Sequence, residues 1–494
     1  MEIMETRKLT AGTKALMVFA FAVMSGFMWR VRGDEGYGSM WGMFAVGVMF
    51  VLFIFAFFGN RRKMSYEAIP IAVILLGITN GSWGTLNTQM GGYLSGDLPF
   101  PGAEQAETVA ISPFSGLWIM LLLGFGWMPL FSLFIGSLFS KKEYKLKHYL
   151  ALIFIFYAVV LGFQFFAAHF IMPFINKEAT EMFSKGLIEN GIPLSRMRAY
   201  IYNFGSAAWS KTIPFGRNYF ASIRAISYAA GALISSLAAL AIMKDGITAL
   251  ISFLFNIISA VSITLADAFL IIDSDAGFLA RVNAPAFLKG GSWSLWEYFT
   301  GFLLGFGMML VLVCLPERIT RGEGRFEYRE PFAKKWFHIL YSAVLTLAFT
   351  FGATAARPLG IRIAEQLAER GFAVNPDRLS LIIIAAVCVL CVAVSFAAAK
   401  RNIAARGLPV PVPMRTEDFC LKAAPAYFGI TGILYFFTGD AYILKFPFRE
   451  IKNLSTLTGM LRDGSFITLL IMILSFVLFY ILYFSACKKA VRKK

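Results

Sequence analysis

Long apolar runs alternate with short polar pieces along the whole chain. A helix needs about 20 mostly apolar residues to cross a hydrocarbon layer about 30 Å thick. Twelve segments have that character: 10–29, 39–58, 68–87, 113–139, 149–172, 225–243, 247–272, 296–315, 336–355, 379–398, 422–438 and 465–486. The fourth is long and the eleventh short. The pattern predicts an all-α, polytopic integral membrane bundle of about 12 transmembrane helices. The tight connection Lys244-Asp245-Gly246 divides it into two six-helix halves of one membrane domain, residues 1–243 and 247–494. A Gly-Ser-Trp element recurs at Gly81-Ser82-Trp83 and Gly291-Ser292-Trp293, but with 43 glycines in the chain such recurrence carries little weight, and no stronger repeat relates the halves. Small-xxx-small spacings such as Gly301/Gly305 predict close helix contacts, which bundles in lipid need because lipid supplies little hydrophobic drive for association.

Composition agrees with the pattern. Of 494 residues, 58% are hydrophobic and only 15% charged, with a mean hydropathy of +0.67. Soluble domains carry about 25% charged residues, so an ordinary soluble enzyme is excluded. The net charge of +17, from 46 Lys and Arg against 29 Asp and Glu, would suggest a nucleic-acid partner in a soluble chain. In a membrane chain basic residues instead set orientation. With the amino terminus in the cytoplasm, more than half of the basic residues fall in the cytoplasmic pieces, which are the first 14 residues, 61–63, 141–147, Lys244, 318–335, 400–422 and 488–494. Both termini are then cytoplasmic, the membrane is the plasma membrane, and the partners are the bilayer and a small solute or lipid-linked substrate, with no nucleic acid. The first apolar run lacks a small-residue cleavage site and leads into Trp29-Arg30-Val31-Arg32, so it reads as a retained span. Five cysteines and three histidines show no Cys/His zinc spacing. No metal and no cofactor are expected.

Ionisable groups at membrane depth carry the chemical information, because lipid penalises them by several kcal/mol unless they face a cavity or a partner. Asp267 lies in the seventh predicted span with Asn256, Ser259, Ser262 and Thr264, a run too polar to face lipid, and Glu297 opens the eighth. Both are candidates for ion coupling, the alternative being an interhelical hydrogen bond or salt bridge. The densest cluster runs from Trp29 to Gly38 and joins the first two predicted spans. There Arg30 and Arg32 offer forked donors suited to carboxylate or phosphate, and Asp34 and Glu35 offer acid/base groups. A helix starting near Ala15 sinks this turn below the outer surface, one starting near Leu9 leaves it interfacial, and mutual pairing of its charges is the plainer alternative. The third predicted span ends in a stretch holding Asn80, Trp83, Asn87 and Gln89, too polar for intact helix against lipid. Arg357, before Pro358, ends the ninth predicted span in the same way. With Trp293 and Trp296 these residues suggest a polar vestibule open to the outside, although aromatic residues also collect at membrane interfaces. In the outer segment 173–224, Lys177 to Ile188 reads as an interfacial amphipathic helix.

Two functions compete. The first is a secondary transporter of a polar or anionic solute, suggested by twelve spans, short loops and carboxylates within the membrane. Gly59-Asn60-Arg61-Arg62-Lys63 lacks the Asp and the spacing of the loop that marks the major facilitator superfamily. The second is a membrane-embedded transferase or flippase acting on a lipid-linked glycan. Asp34-Glu35 resembles the acidic motif of polytopic, polyprenyl-phosphate-dependent glycosyltransferases, which implies catalysis at those two residues. That resemblance covers a dipeptide, and a second span starting by Ser39 leaves no room for the long first outer loop of those enzymes. No other residue set identifies a reaction, so the transporter leads.

Overall fold

The computed structural model describes residues 9–33, 39–58, 113–140, 144–175, 216–272, 278–285, 292–315, 357–383 and 465–491, with a few short pieces between them. The described residues are helical except for one antiparallel ladder, in which β1 (Asp97–Pro99) pairs with β2 (Thr108–Ala110). Among the described residues six helices are long and apolar enough to cross a membrane: Ala11–Gly33, Leu146–Phe174, Ile223–Met243, Gly246–Ala266, Ser294–Cys314 and Leu469–Lys488. Leucines and phenylalanines stand outward along them, Phe154, Phe170, Phe174 and Leu474 among them. Soluble proteins rarely expose apolar surface on this scale. The protein therefore has the apolar helices of a membrane protein. Of the other predicted spans, 336–355 lies outside the described residues and 68–87 is described only at Ala72 and Leu76.

The helices group into two compact units, one built from Met1–Gly77 with Pro285–Lys494 and the other from Ile78–Ala284. In the first unit the centre is α1 (Ala11–Gly33), which packs on α2 (Ser39–Phe58) and on two helices from far along the chain. Thr10 starts α1, its hydroxyl accepting from the Thr13 N–H at 3.3 Å. From Met17 to Arg32 nearly every side chain is buried, as expected of a helix that is apolar on all faces.

The second unit contains α3 (Pro113–Phe125) and α4 (Pro129–Leu138), which together fill the long fourth predicted span. They do not form one helix. The Trp127 N–H turns to the Gly124 carbonyl at 3.2 Å, and Pro129 has no N–H to offer the Phe125 carbonyl one turn back. Next comes α5 (Leu146–Phe166), which continues through a π-turn at Ala167–Ile171 into α6 (Met172–Ile175). The wide turn precedes Pro173, whose ring would crowd the carbonyl of a regular preceding turn. After a segment in which Lys177 and Glu181 pair at 3.6 Å, α7 (Gly216–Met243) begins well before the predicted start at 225. It turns at Lys244, which has a positive φ, into α8 (Gly246–Ala266).

Asp245 holds that turn. Its carboxylate caps α8 by accepting from the Ile247 and Thr248 N–H groups at 3.1 and 3.2 Å, and it also accepts from the Thr248 hydroxyl at 2.6 Å and the Tyr144 hydroxyl at 2.9 Å. Burial, with the Asp245 charge adding to it, holds the Tyr144 phenol above the ordinary tyrosine range. Close packing in this unit rests on glycine: Gly124 and Gly136 lie against the α8 backbone at Ser259–Ala260 and at Thr248, and Gly126 against Tyr228 and Ala229 of α7. The unit closes with the short helices α9 (Ala268–Ile272) and α10 (Phe278–Arg281).

The first unit resumes with α11 (Ser292–Cys314), then α12 (Arg357–Glu369) and α13 (Ser465–Val491). The predicted contact at Gly301/Gly305 is present, both glycines meeting α1 at Ser25, one beside Trp29 and the other beside the Phe21 carbonyl. The Tyr298 hydroxyl shares a hydrogen bond with that of Ser475, tying α11 to α13. Phe27, Phe428, Phe476 and Phe479 form an aromatic core, with the Phe428 and Phe479 rings 4.1 Å apart. Phe428 belongs to the eleventh predicted span, described here only in part.

Candidate functional site

In the first unit Arg32 and Glu297 are brought together. The sequence places Arg30 and Arg32 in a connecting turn, but no proline interrupts the chain before Gly33 and α1 runs through both. Gly33 allows the approach of α11, because a Cβ at that position would stand 2.9 Å from the Glu297 carboxyl carbon. Arg32 Nη1 donates to both carboxylate oxygens, at 2.7 Å to Oε1 and 3.0 Å to Oε2. The side chains are 4% and 14% exposed, so the attraction is screened far less than at a surface. The guanidinium also lies over the Trp29 ring, 5.7 Å from its centroid, within cation–π range. Its Nε and Nη2 are buried and find no hydrogen-bond partner among the described residues. Leaving a buried donor unmatched costs about 1–3 kcal/mol, and more on a charged group. Arg30, two positions earlier, is equally buried.

The second unit holds further buried polar groups. Asp267 is fully buried where α8 ends, its N–H bonded to the Ile263 carbonyl at 3.0 Å. Asn256 is also fully buried, in the middle of α8, and neither Oδ1 nor Nδ2 has a hydrogen-bond partner among the described residues. The same holds for the Ser132 hydroxyl on α4 and for both amide atoms of Gln164 on α5. Ser236 and Ser252 satisfy each other at 2.8 Å between α7 and α8.

Arg224 lies just outside the sixth predicted span, 225–243, so the sequence pattern assigns it to the outer segment rather than to a helix. With α7 starting at Gly216, it is 5% exposed within a helix and stacks on Tyr228 one turn on, 5.8 Å from the ring centroid. An arginine four residues before a tyrosine at the edge of an apolar run is the signal that marks it. Gln164 was hidden in the same way, as one polar residue in a run of aromatic and aliphatic neighbours.

The other candidates divide plainly. Trp296 is buried in α11. Trp293 lies in the first turn of α11, and Arg357 is the first residue of α12. Asp34, Glu35, Asn80, Trp83, Asn87 and Gln89 lie outside the described residues, as do Cys388 and Cys391, which stand at Cys-x-x-Cys spacing in the tenth predicted span. Arg30, Arg32 and Glu297 belong to one unit and Asp267 to the other. No group of three or more His, Cys, Asp or Glu able to hold a metal ion occurs among the described residues. No known protein family, no curated protein and no solved structure matches the chain.

Proposed function

We propose that the protein is a secondary transporter of a polar or anionic solute, with twelve spans, both termini in the cytoplasm and its home in the plasma membrane. The observation that carries this reading is the end of α1. Arg30 and Arg32 are buried there, and Arg32 gives one nitrogen to Glu297 while Nε and Nη2 remain without a hydrogen-bond partner among the described residues. An anionic or strongly polar solute supplies the acceptors such donors require. Glu297 holds the fork in place and limits the charge a solute must neutralise. Asp267, in the other unit, is the proposed coupling carboxylate.

The test uses the full-length protein in liposomes, with uptake of labelled organic anions and sugars measured under an imposed proton or Na⁺ gradient. Gradient-driven uptake that Arg32→Gln abolishes and Asp267→Asn uncouples supports the reading. Gradient-independent behaviour with every solute removes it. Labelling of single cysteines placed in the two termini, from either side of sealed vesicles, checks the orientation.

A further inference from the structure

We propose that the solute is a monocarboxylate, received side-on by Nε and Nη2 of Arg32. The proposal deepens the transporter reading and rests on it in calling this ligand a transported solute.

The argument starts from the shape of the guanidinium, which is flat and carries five N–H donors and no acceptor. Its nitrogens are not equivalent. Nη1 stands on the side of Cδ, so the Nε–H and one Nη2–H leave the opposite edge as a parallel pair. Glu297 takes the Nη1 side, both of its oxygens reaching that single nitrogen at 2.7 and 3.0 Å. One face of the group lies toward the Trp29 ring, 5.7 Å from its centroid. These contacts fix the orientation of the Nε/Nη2 edge. Both of its nitrogens are buried and meet no hydrogen-bond acceptor among the described residues. Gly33, next in the chain, is exposed, so the edge lies at the rim of the bundle rather than at mid-helix.

The donor pattern selects the ligand. Two parallel N–H bonds match the two oxygens of a carboxylate, one bond to each, in the plane of the guanidinium. A sugar hydroxyl or a neutral amide brings one oxygen to that edge and leaves the second charged donor unmatched, which is costly in a buried place. Because the group only donates, the ligand must accept, whatever the balance of charge around it.

The charge of the ligand follows from every described helix packed on α1. In α2 there is no charged residue, α11 carries Glu297 alone, and α13 carries Lys488 and Lys489. Ser475 of α13 is level with Tyr298, so those lysines are about 20 Å away along the helix. Lys14 of α1 is about 27 Å from Arg32 by the same rise. The carbonyl end of α1 and the amino end of α11 lie side by side, and their partial charges of about half a unit offset each other. Arg30 and Arg32 against Glu297 then leave one positive charge, which one carboxylate neutralises. Asp34 and Glu35 follow in the chain, outside the described residues. Their charges would move the balance further against a dianion, and they are the chain's own competitors for the same edge.

The experiment measures binding to the full-length protein in lipid nanodiscs by thermal midpoint and tryptophan fluorescence. Acetate and benzoate are titrated as sodium salts, against acetamide as the neutral counterpart and sulfate as the dianion, at matched ionic strength. The expected result is a saturable rise in midpoint with acetate, benzoate or both, and apparent affinities at least about tenfold weaker for acetamide and sulfate. Arg32→Lys keeps the charge facing Glu297 but has no fork, and should weaken carboxylate binding by more than about tenfold, the loss of a hydrogen bond between charged groups. The proposal is overturned by no saturable response to either carboxylate in the parent, by an equal response to acetamide or sulfate, or by unchanged affinity in Arg32→Lys. It is also overturned if the response appears only when Asp34→Asn and Glu35→Gln are combined, since a carboxylate of the chain then occupies the edge. The parent titrations decide the matter even if Arg32→Lys fails to fold. Carboxylate binding without gradient-driven uptake removes the transporter reading and keeps the site, whereas uptake of sugars without carboxylate binding removes this proposal alone.

Discussion

Arg32 and Glu297 are 265 residues apart in the chain and meet through one nitrogen and two oxygens, at 2.7 and 3.0 Å. Each comes from a helix end that would otherwise place a bare charge at the edge of the bundle. The pair joins α1 to α11 at the start of the charged cluster that runs from Trp29 to Gly38.

Removing one member of this pair should cost more than removing both. Glu297→Gln leaves a buried guanidinium facing a neutral amide, and loss of one partner of a buried ion pair costs about 3–5 kcal/mol. Arg32→Met combined with Glu297→Leu should recover most of that loss. Thermal unfolding in detergent of the two single variants and the double variant tests it; equal loss in all three would show that the pair contributes little coupling.

Glycines in this fold divide sharply by position. Gly301→Ala should destabilise, because a Cβ there runs into the Ser25 carbonyl and Trp29, and overpacking costs about 1–3 kcal/mol. Gly162→Ala should stabilise by about 0.5–1 kcal/mol, since nothing lies within 4 Å of the added Cβ and alanine loses less entropy in a helix. Paired melting curves check both directions, and a loss of stability in Gly162→Ala contradicts the packing described.

Alkaline pH should weaken the α7–α8 turn. Burial raises the Tyr144 phenol above its ordinary value near 10, so the folded state favours the neutral phenol. The contribution is fully present below pH 10 and is lost as the pH rises through the higher folded value. Melting temperature measured against pH should fall above 10 in the parent more steeply than in Tyr144→Phe. Parallel curves would remove Tyr144 as the cause.

Asp245→Ala should destabilise the same turn at neutral pH. It removes the cap of α8, worth about 0.5–2 kcal/mol, and the acceptor for the Tyr144 and Thr248 hydroxyls. Asp245→Asn should lose less, because the amide oxygen still caps the helix. Denaturation of the three proteins in detergent gives the order directly.

The membrane class was legible from hydropathy because apolar runs of spanning length leave little choice of solvent. Helix ends were less legible. Arg32 ends a helix and Arg224 lies inside one because neighbouring helices bury them, and that packing is not written in the local sequence. The interruption at Gly126–Met128 had a local sign in Pro129, but the length of the fourth apolar run masked it. Glu297 was singled out by its charge alone, while its meeting with Arg32 depends on the tertiary approach that Gly33 permits.

The two units also set an order of events during synthesis. Residues Ile78–Ala284 form an uninterrupted unit, whereas the other unit needs both ends of the chain. At translation rates of about 5–20 residues per second, Arg32 leaves the ribosome roughly 10–50 s before Glu297 exists. For that interval the first helix carries two arginines without the carboxylate that later receives one of them. The amino-terminal helix is thus made first and finished last, and the insertion machinery or the headgroup region must shelter its charged end in the meantime.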